Sequence, residues 1–184
     1  MHPGLFLDRD GVVVQSVQRS DGTWGSPRTL SQFFLVDFAR NAISKAVGAG
    51  FKVIIVTNQP DIARHKLSNS VLESMHSRLR QELPDLTAIY SCVHDNNDQC
   101  ECRKPKPGLL LCAAAEWEID LSASWLIGDR AVDMVAANAC GVRPICIPTQ
   151  TRGAPNVRSC GEDAQHQNCD SLQSAIGYLL MQPR

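Results

Sequence analysis

Residues 4–11 read Gly4-Leu5-Phe6-Leu7-Asp8-Arg9-Asp10-Gly11. The apolar run is too short for a helix and ends in turn residues, which is the pattern of a buried strand. Two carboxylates at spacing i, i+2 meet at a strand end once the chain turns. Carboxylates held close repel, and a hard divalent cation relieves that repulsion. One of the pair can then attack phosphorus while the other handles protons. Asp and Gly are also ordinary turn residues, so a solvated turn remains open at this point.

The same pattern recurs along the chain. Short apolar runs at Phe51–Val56, Thr87–Val93, Trp125–Ile127 and Arg143–Ile147 predict further buried strands. Helical patterns alternate with them. Asp37–Val47 carries an apolar stripe closed by Gly48 and Gly50. Ser70 and Glu73 predict a capping box for a helix that Pro84 stops near Leu83. Pro107–Trp117, Arg130–Cys140 and Ser171–Met181 complete the series. Strands alternating with helices predict an α/β, Rossmann-like parallel sheet covered by helices on both faces. Ligand sites in such folds lie at the carboxyl ends of the strands. One domain over 1–184 is expected, with its core reaching about residue 150 and a polar loop and C-terminal helix after it. Forty-six residues separate Asp10 from Thr57, and 46 separate Thr57 from Lys104. Neither interval leaves room for a large cap domain, so loops must shape the pocket, chiefly Ser16–Arg28 and the cysteine loop described below.

Three further motifs sit just after expected strands or before a helix. Thr57-Asn58-Gln59 offers a hydroxyl and a backbone N–H for phosphate oxygens, or is a polar loop. Arg103-Lys104-Pro105-Lys106-Pro107-Gly108 places a lysine at a stiffened helix start, where it can neutralise a phosphoryl group; a basic surface loop is the other reading. Gly128-Asp129-Arg130-Ala131-Val132-Asp133 supplies a further carboxylate for a metal, with Asp133 on the same helical face. Alternatively, the two acids favour a helix N-terminus.

Eight cysteines are many for 184 residues. The N-terminus has no basic n-region and no long h-region, so no signal peptide is read there and a cytoplasmic chain is expected. Metal binding then explains clustered cysteines better than disulfides do. Cys92-x-His94-x5-Cys100-x-Cys102 provides three thiolates and one imidazole, a closed tetrahedral zinc set with no open position and hence a structural one. Cys102 abuts Arg103-Lys104, so zinc would set where those residues lie. Cys160, His166 and Cys169 offer an incomplete second metal set, or a polar loop. Cys112, Cys140 and Cys146 read as small core residues. His65 and His76 read as surface residues. Trp24, beside Gly22 and Gly25, faces substrate or pins its own loop. A net charge of -1 leaves no basic face for nucleic acid or membrane surfaces. No apolar run approaches the roughly 18 residues of a membrane span. A monomer is expected.

The four phosphate-handling motifs, in order in one α/β chain, together resemble the haloacid dehalogenase-like (HAD-like) phosphatase superfamily over nearly the whole chain to about Ile147. Phe6–Gly11, Thr57–Arg64, the cysteine-histidine loop, Cys102–Gly108 and Gly128–Asp133 are more specifically similar to the D-glycero-D-manno-heptose 1,7-bisphosphate 7-phosphatases. Histidinol-phosphate phosphatases are their relatives and the rival activity. A catalytically silent phosphosugar-binding protein is the rival of another class, although all the expected chemical residues are present. The family pattern TNQSGIARG departs here to Thr57-Asn58-Gln59-Pro60-Asp61-Ile62-Ala63-Arg64-His65, which adds the negative charge of Asp61 near the pocket. The resemblance implies Asp8 as nucleophile forming an aspartyl-phosphate, and Asp10 as acid and then base. It implies Mg2+ on Asp8, Asp129 and the Asp10 carbonyl, and phosphoryl contacts from Thr57 and Lys104. Substrate contacts would come from Arg9, Asn58, Gln59, Arg103 and Arg130. The same four zinc ligands and a small phosphorylated sugar as substrate are implied too.

Overall fold

The computed structural model describes residues 1–157, 159–160 and 165–183. Part of the expected 149–170 polar loop, at 158 and 161–164, therefore lies outside the described residues, as does the last residue, 184. In chain order the elements are β1 (His2–Leu7), β2 (Val17–Gln18), β3 (Trp24–Gly25), α1 (Ala39–Gly48), β4 (Lys52–Asn58), α2 (Asn69–Glu82) and β5 (Ala88–Cys92). They continue with α3 (Gly108–Trp117), β6 (Ile119–Gly128), α4 (Ala131–Asn138), β7 (Arg143–Cys146), β8 (Gln167–Asn168) and α5 (Leu172–Leu180).

Six strands form one parallel sheet in the order β5-β4-β1-β6-β7-β8. Alternation along β1 divides the core. Leu5 and Leu7 pack with the buried faces of α1, α2 and α5, whereas Phe6 packs on the other side with α3 and α4. The stripe on α1 is Ala39, Ala42, Ile43 and Ala46, the i, i+3, i+4, i+7 pattern of a helix laid on a sheet. Between β1 and β4 the chain forms only the β2–β3 ribbon, a 3-10 turn at Leu30–Gln32 and α1. Among the described residues, no large cap stands over the sheet.

Three local expectations are corrected. The cap of α2 is Ser68, not Ser70: Ser68 has extended backbone, and its hydroxyl accepts from Val71 N at 3.3 Å. β6 is far longer than Trp125–Ile127, and its ladder with β1 is interrupted between Pro3 and Leu5. There the Ser124 hydroxyl accepts from Gly4 N at 2.8 Å and donates to the Asp120 carbonyl at 2.5 Å. It occupies hydrogen-bonding groups that the interrupted ladder leaves over. Finally, Cys146 is not a free core thiol and Cys160 is not a metal ligand, because the two form a disulfide. That bond ties the chain after β7 back to the end of its own strand and removes the sulfur needed for a Cys160–His166–Cys169 site.

Candidate active site

The carboxyl edge of the sheet gathers the motif residues. Asp8 follows β1, Thr57 and Asn58 end β4, Lys104 precedes α3, and Asp129 follows β6. Asp8, Asp10, Thr57, Asn58, Lys104, Asp129 and Arg130 line one cavity of about 330 Å3, with Trp24 and Ser26 of the 16–28 loop on its wall. Gly11 allows this convergence. It adopts φ 91°, and a Cβ there would lie 2.4 Å from Asp129 Oδ2, so any side chain would push the β6 carboxylate away.

Lys104 is the electrostatic centre. Its buried Nζ donates to Asp8 Oδ1 at 2.8 Å and to the Val56 carbonyl at 2.8 Å. Asp133 Oδ1 lies 2.5 Å away, as an ion-pair contact rather than an aligned hydrogen bond. Burial opposes the charge on Lys104, but Asp133 and Asp8 outweigh it and hold the ammonium above its ordinary range. One cation therefore pairs with two buried carboxylates, Asp8 and Asp133. Burial pushes Asp8 up to about 6, against the pull of Lys104 and with help from Asp133 and Asp10. Burial, then Asp8 and Asp133, push Asp129 well above the usual carboxylate range. Thr149 Oγ1 donates to Asp129 Oδ2 at 2.5 Å, while the buried Oδ1 has no partner among the described residues. Oxygen atoms of Asp8, Asp129 and Asp133 lie within 4.8 Å of one another. Hard oxygen donors, mutual repulsion and an unpartnered buried oxygen fit a small divalent cation.

Asp10 is held differently. Arg9 Nε and Nη2 donate to its two oxygens at 3.1 and 3.0 Å, and Gln59 Nε2 donates at 2.7 Å. Two expectations change here. Arg9 is completely buried, lies over the Phe33 ring and contacts His76. It is spent on Asp10 and cannot reach substrate. Gln59 is buried as well, bonding Thr57 Oγ1 at 2.9 Å in addition to Asp10, so it also orients neighbours rather than meeting a ligand. His76, expected at the surface, is buried behind this group.

Asn58 clasps Lys104 from both sides of its backbone: Nδ2 donates to the Lys104 carbonyl at 2.9 Å, and Lys104 N donates to Oδ1 at 3.1 Å. Arg103 is anchored on the cysteine loop, donating to Asn96 Oδ1 at 2.9 Å and to the His94 carbonyl at 3.3 Å. Arg130 is exposed at the cavity wall. Asp61 does not leave an unbalanced charge near the pocket, because Arg28 Nε donates to it at 2.6 Å and Arg19 lies 3.4 Å away.

The second cluster is Cys92, His94, Cys100 and Cys102, whose ligand atoms lie within 4.8 Å of one another. Sulfur–sulfur separations from Cys92 are 3.1 and 3.7 Å, and His94 Nδ1 is 3.3 Å from Cys102 Sγ. Ligands about 2.3 Å from a tetrahedral centre would be roughly 3.8 Å apart, so a small expansion of the set would admit a metal. Burial and neighbouring thiols push Cys92 up to about 12, so metal ligation must displace a proton there.

Sequence reasoning left out Asp133 and Thr149 as site members. Asp133 was visible as the second acid of its motif. Thr149 follows β7, and its position beyond a strand end is the only signal that it carries.

Residues 101–175 match the HAD-hydrolase-like family model. The chain is 36% identical over 162 residues to a D-glycero-beta-D-manno-heptose-1,7-bisphosphate 7-phosphatase of Pseudomonas aeruginosa, covering 86% of this chain and 85% of that one. It is 32% identical over 184 residues to the Neisseria meningitidis protein of the same name, covering 97% and 95%. A crystal structure of D,D-heptose 1,7-bisphosphate phosphatase from B. bronchiseptica, complexed with magnesium and phosphate, superposes with a TM-score of 0.78 at 28% identity, covering 96% of this chain and 98% of that one. Likeness that extends over nearly the full length in both sequence and structure places the chain in one family: it belongs to the HAD-like phosphatases, among the D-glycero-β-D-manno-heptose-1,7-bisphosphate 7-phosphatases.

Proposed function

We propose that the chain is a magnesium-dependent phosphatase that removes the 7-phosphate of D-glycero-β-D-manno-heptose 1,7-bisphosphate through an aspartyl-phosphate on Asp8. The observation that carries this reading is the cavity in which Asp8, paired to Lys104 at 2.8 Å, opens beside a separately oriented Asp10. An Asp8 oxygen attacks phosphorus, and the bond to the sugar oxygen breaks as Asp10 gives that oxygen its proton. Asp10, now a carboxylate, takes a proton from the water that hydrolyses the acyl phosphate. Arg9 and Gln59 keep Asp10 aimed through both halves. The Thr57 hydroxyl and the Lys104 ammonium hold phosphoryl oxygens, and Asp133 keeps Lys104 in place. Asp8, Asp129 and the Asp10 carbonyl would hold Mg2+, which when bound neutralises charge on the phosphoryl group and its carboxylate neighbours. Arg130, and Arg103 beside Lys104, supply cations for the second phosphate. The cysteine cluster holds a structural Zn2+.

The test is phosphate release from heptose 1,7-bisphosphate, with histidinol phosphate as comparator, in wild type and Asp8→Asn. Wild type should prefer the bisphosphate. The variant should fold and bind magnesium weakly but retain less than about one hundredth of kcat, because an amide is no nucleophile. Preference for histidinol phosphate would refute the substrate, and an active Asp8→Asn would refute the mechanism.

A further inference from the structure

Pro60-Asp61 follows Gln59 directly and turns the chain away from β4. Asp61 is buried, yet the hydrogen-bond partners of its carboxylate come from outside its own turn. Its Oδ2 accepts from Arg28 Nε at 2.6 Å and from Arg19 Nη2 at 3.4 Å. Burial works against its charge, but Arg28 and then Arg19 hold the carboxyl below its ordinary range. Both arginines belong to the loop that carries β2 and β3. Arg19 Nη2 also donates to the Ser26 carbonyl at 3.1 Å. A Cβ on Gly25 would sit 2.6 Å from that same nitrogen, so the guanidinium lies directly against the Gly25-Ser26 backbone. That backbone, with Trp24, lines the cavity that holds Asp8.

The β2–β3 ribbon has two paired positions, Val17 with Gly25 and Gln18 with Trp24. A two-stranded ribbon of that size does not hold a shape on its own. Its position over the cavity therefore depends on what anchors it from behind. Arg64, on the same turn as Asp61, reaches a different element: its Nε donates to Asp95 Oδ2 of the cysteine loop at 2.9 Å. The 59–64 turn thus touches Asp10 through Gln59, the ribbon through Asp61 and the cysteine loop through Arg64.

We propose that Asp61 is a specificity-positioning residue: through Arg28 and Arg19 it fixes the Trp24–Ser26 wall against the sugar part of the substrate, without touching the reacting phosphate. The proposal rests on the phosphatase reading given above. A carboxylate that anchors a wall acts on the binding of a large substrate and not on the chemistry of a small one. The comparison is therefore between heptose 1,7-bisphosphate and p-nitrophenyl phosphate, using the full chain with magnesium. Asp61→Asn should raise KM for the bisphosphate roughly tenfold, the size of one weakened charge-assisted hydrogen bond. It should leave kcat for both substrates within about twofold. Asp61→Glu should restore part of the lost affinity. Arg28→Gln should reproduce the effect from the ribbon side, and it carries the test if Asp61→Asn does not fold. Unchanged KM in a folded variant would overturn the proposal. So would equal losses of kcat on both substrates, which would mean that Asp61 acts through Gln59 on Asp10. A wild type inactive on the bisphosphate would overturn the proposed function itself, and the role of Asp61 with it.

Discussion

His76 shows how far the orientation of Asp10 reaches into the core. The Arg9 guanidinium can only donate, so the His76 Nε2 that lies 3.4 Å from Arg9 Nη1 must accept, and the ring must be neutral. Burial, with Arg9 and Arg80 adding positive charge and Asp10 opposing them, lowers its pKa to about 4. Glu73 faces the other ring nitrogen at 3.9 Å. In the unfolded chain His76 would titrate at its ordinary value, so between about 6.5 and 4 the unfolded state binds the extra proton. Stability from this group is complete above that window and is lost as pH falls through it, by at most about 3 kcal/mol. Urea unfolding at pH 7 and pH 5 checks this. Wild type should lose more stability across the interval than His76→Gln, whose side chain does not titrate. Parallel losses would show that His76 is protonated in the folded protein. None of this was legible in the sequence, where Arg9 and Gln59 looked like substrate contacts and His76 like a surface residue. A motif gives the residue type at a strand end but not the direction of its side chain.

At the scale of elements, Lys104 is held by a loop and a helix together. Gly108 opens α3, and a Cβ there would lie 2.2 Å from the Glu101 carbonyl, so the helix start packs on the backbone of the cysteine loop. The cluster at Cys102 grips Lys104 from one side and Asn58 from the other. Losing either grip should displace the ammonium. We expect Cys102→Ser to release zinc and lower kcat/KM roughly 10- to 100-fold, in the range of a lost supporting contact. Asn58→Ala should lower activity while keeping its zinc. Elemental analysis and turnover together decide this, and a folded, zinc-free protein with full activity would break the link from metal to Lys104. The main strands and helices were legible because each carries its own periodic pattern. The β2–β3 ribbon, β8 and the Cys146–Cys160 bond were not. Two-residue strands have no period to read, and a disulfide 14 residues apart in sequence depends on where the chain returns after β7.

Across the whole molecule, parallel topology brings the carboxyl ends of β1 and β6 side by side, and α4 adds Asp133 to the same spot. Asp8 and Asp133 then share one lysine with Asp129 crowded beside them, and the fold is destabilised at its own active site. The sign follows from the raised values of Asp8, about 6, and Asp129. A carboxyl whose folded pKa exceeds its unfolded one contributes stability below the unfolded value and loses it as pH rises through the folded one. This runs opposite to His76. Metal-free protein should therefore carry a strain at pH 8 that a divalent cation removes. Magnesium at 100 times its Kd adds about 2.7 kcal/mol, roughly 5–10 °C in Tm for a chain of this size. The Tm rise on adding magnesium should be larger at pH 8 than at pH 5.5, where protonated carboxyls compete with the ion. Asp129→Asn separates stability from function: it should raise the metal-free Tm at pH 8, abolish the magnesium response and abolish turnover. Thr149 can still hydrogen-bond to the amide, so the gain should come from charge and not from repacking. A variant less stable than metal-free wild type at pH 8 would mean that the folded protein favours the Asp129 carboxylate over its neutral form, and that like-charge repulsion does not shape this site.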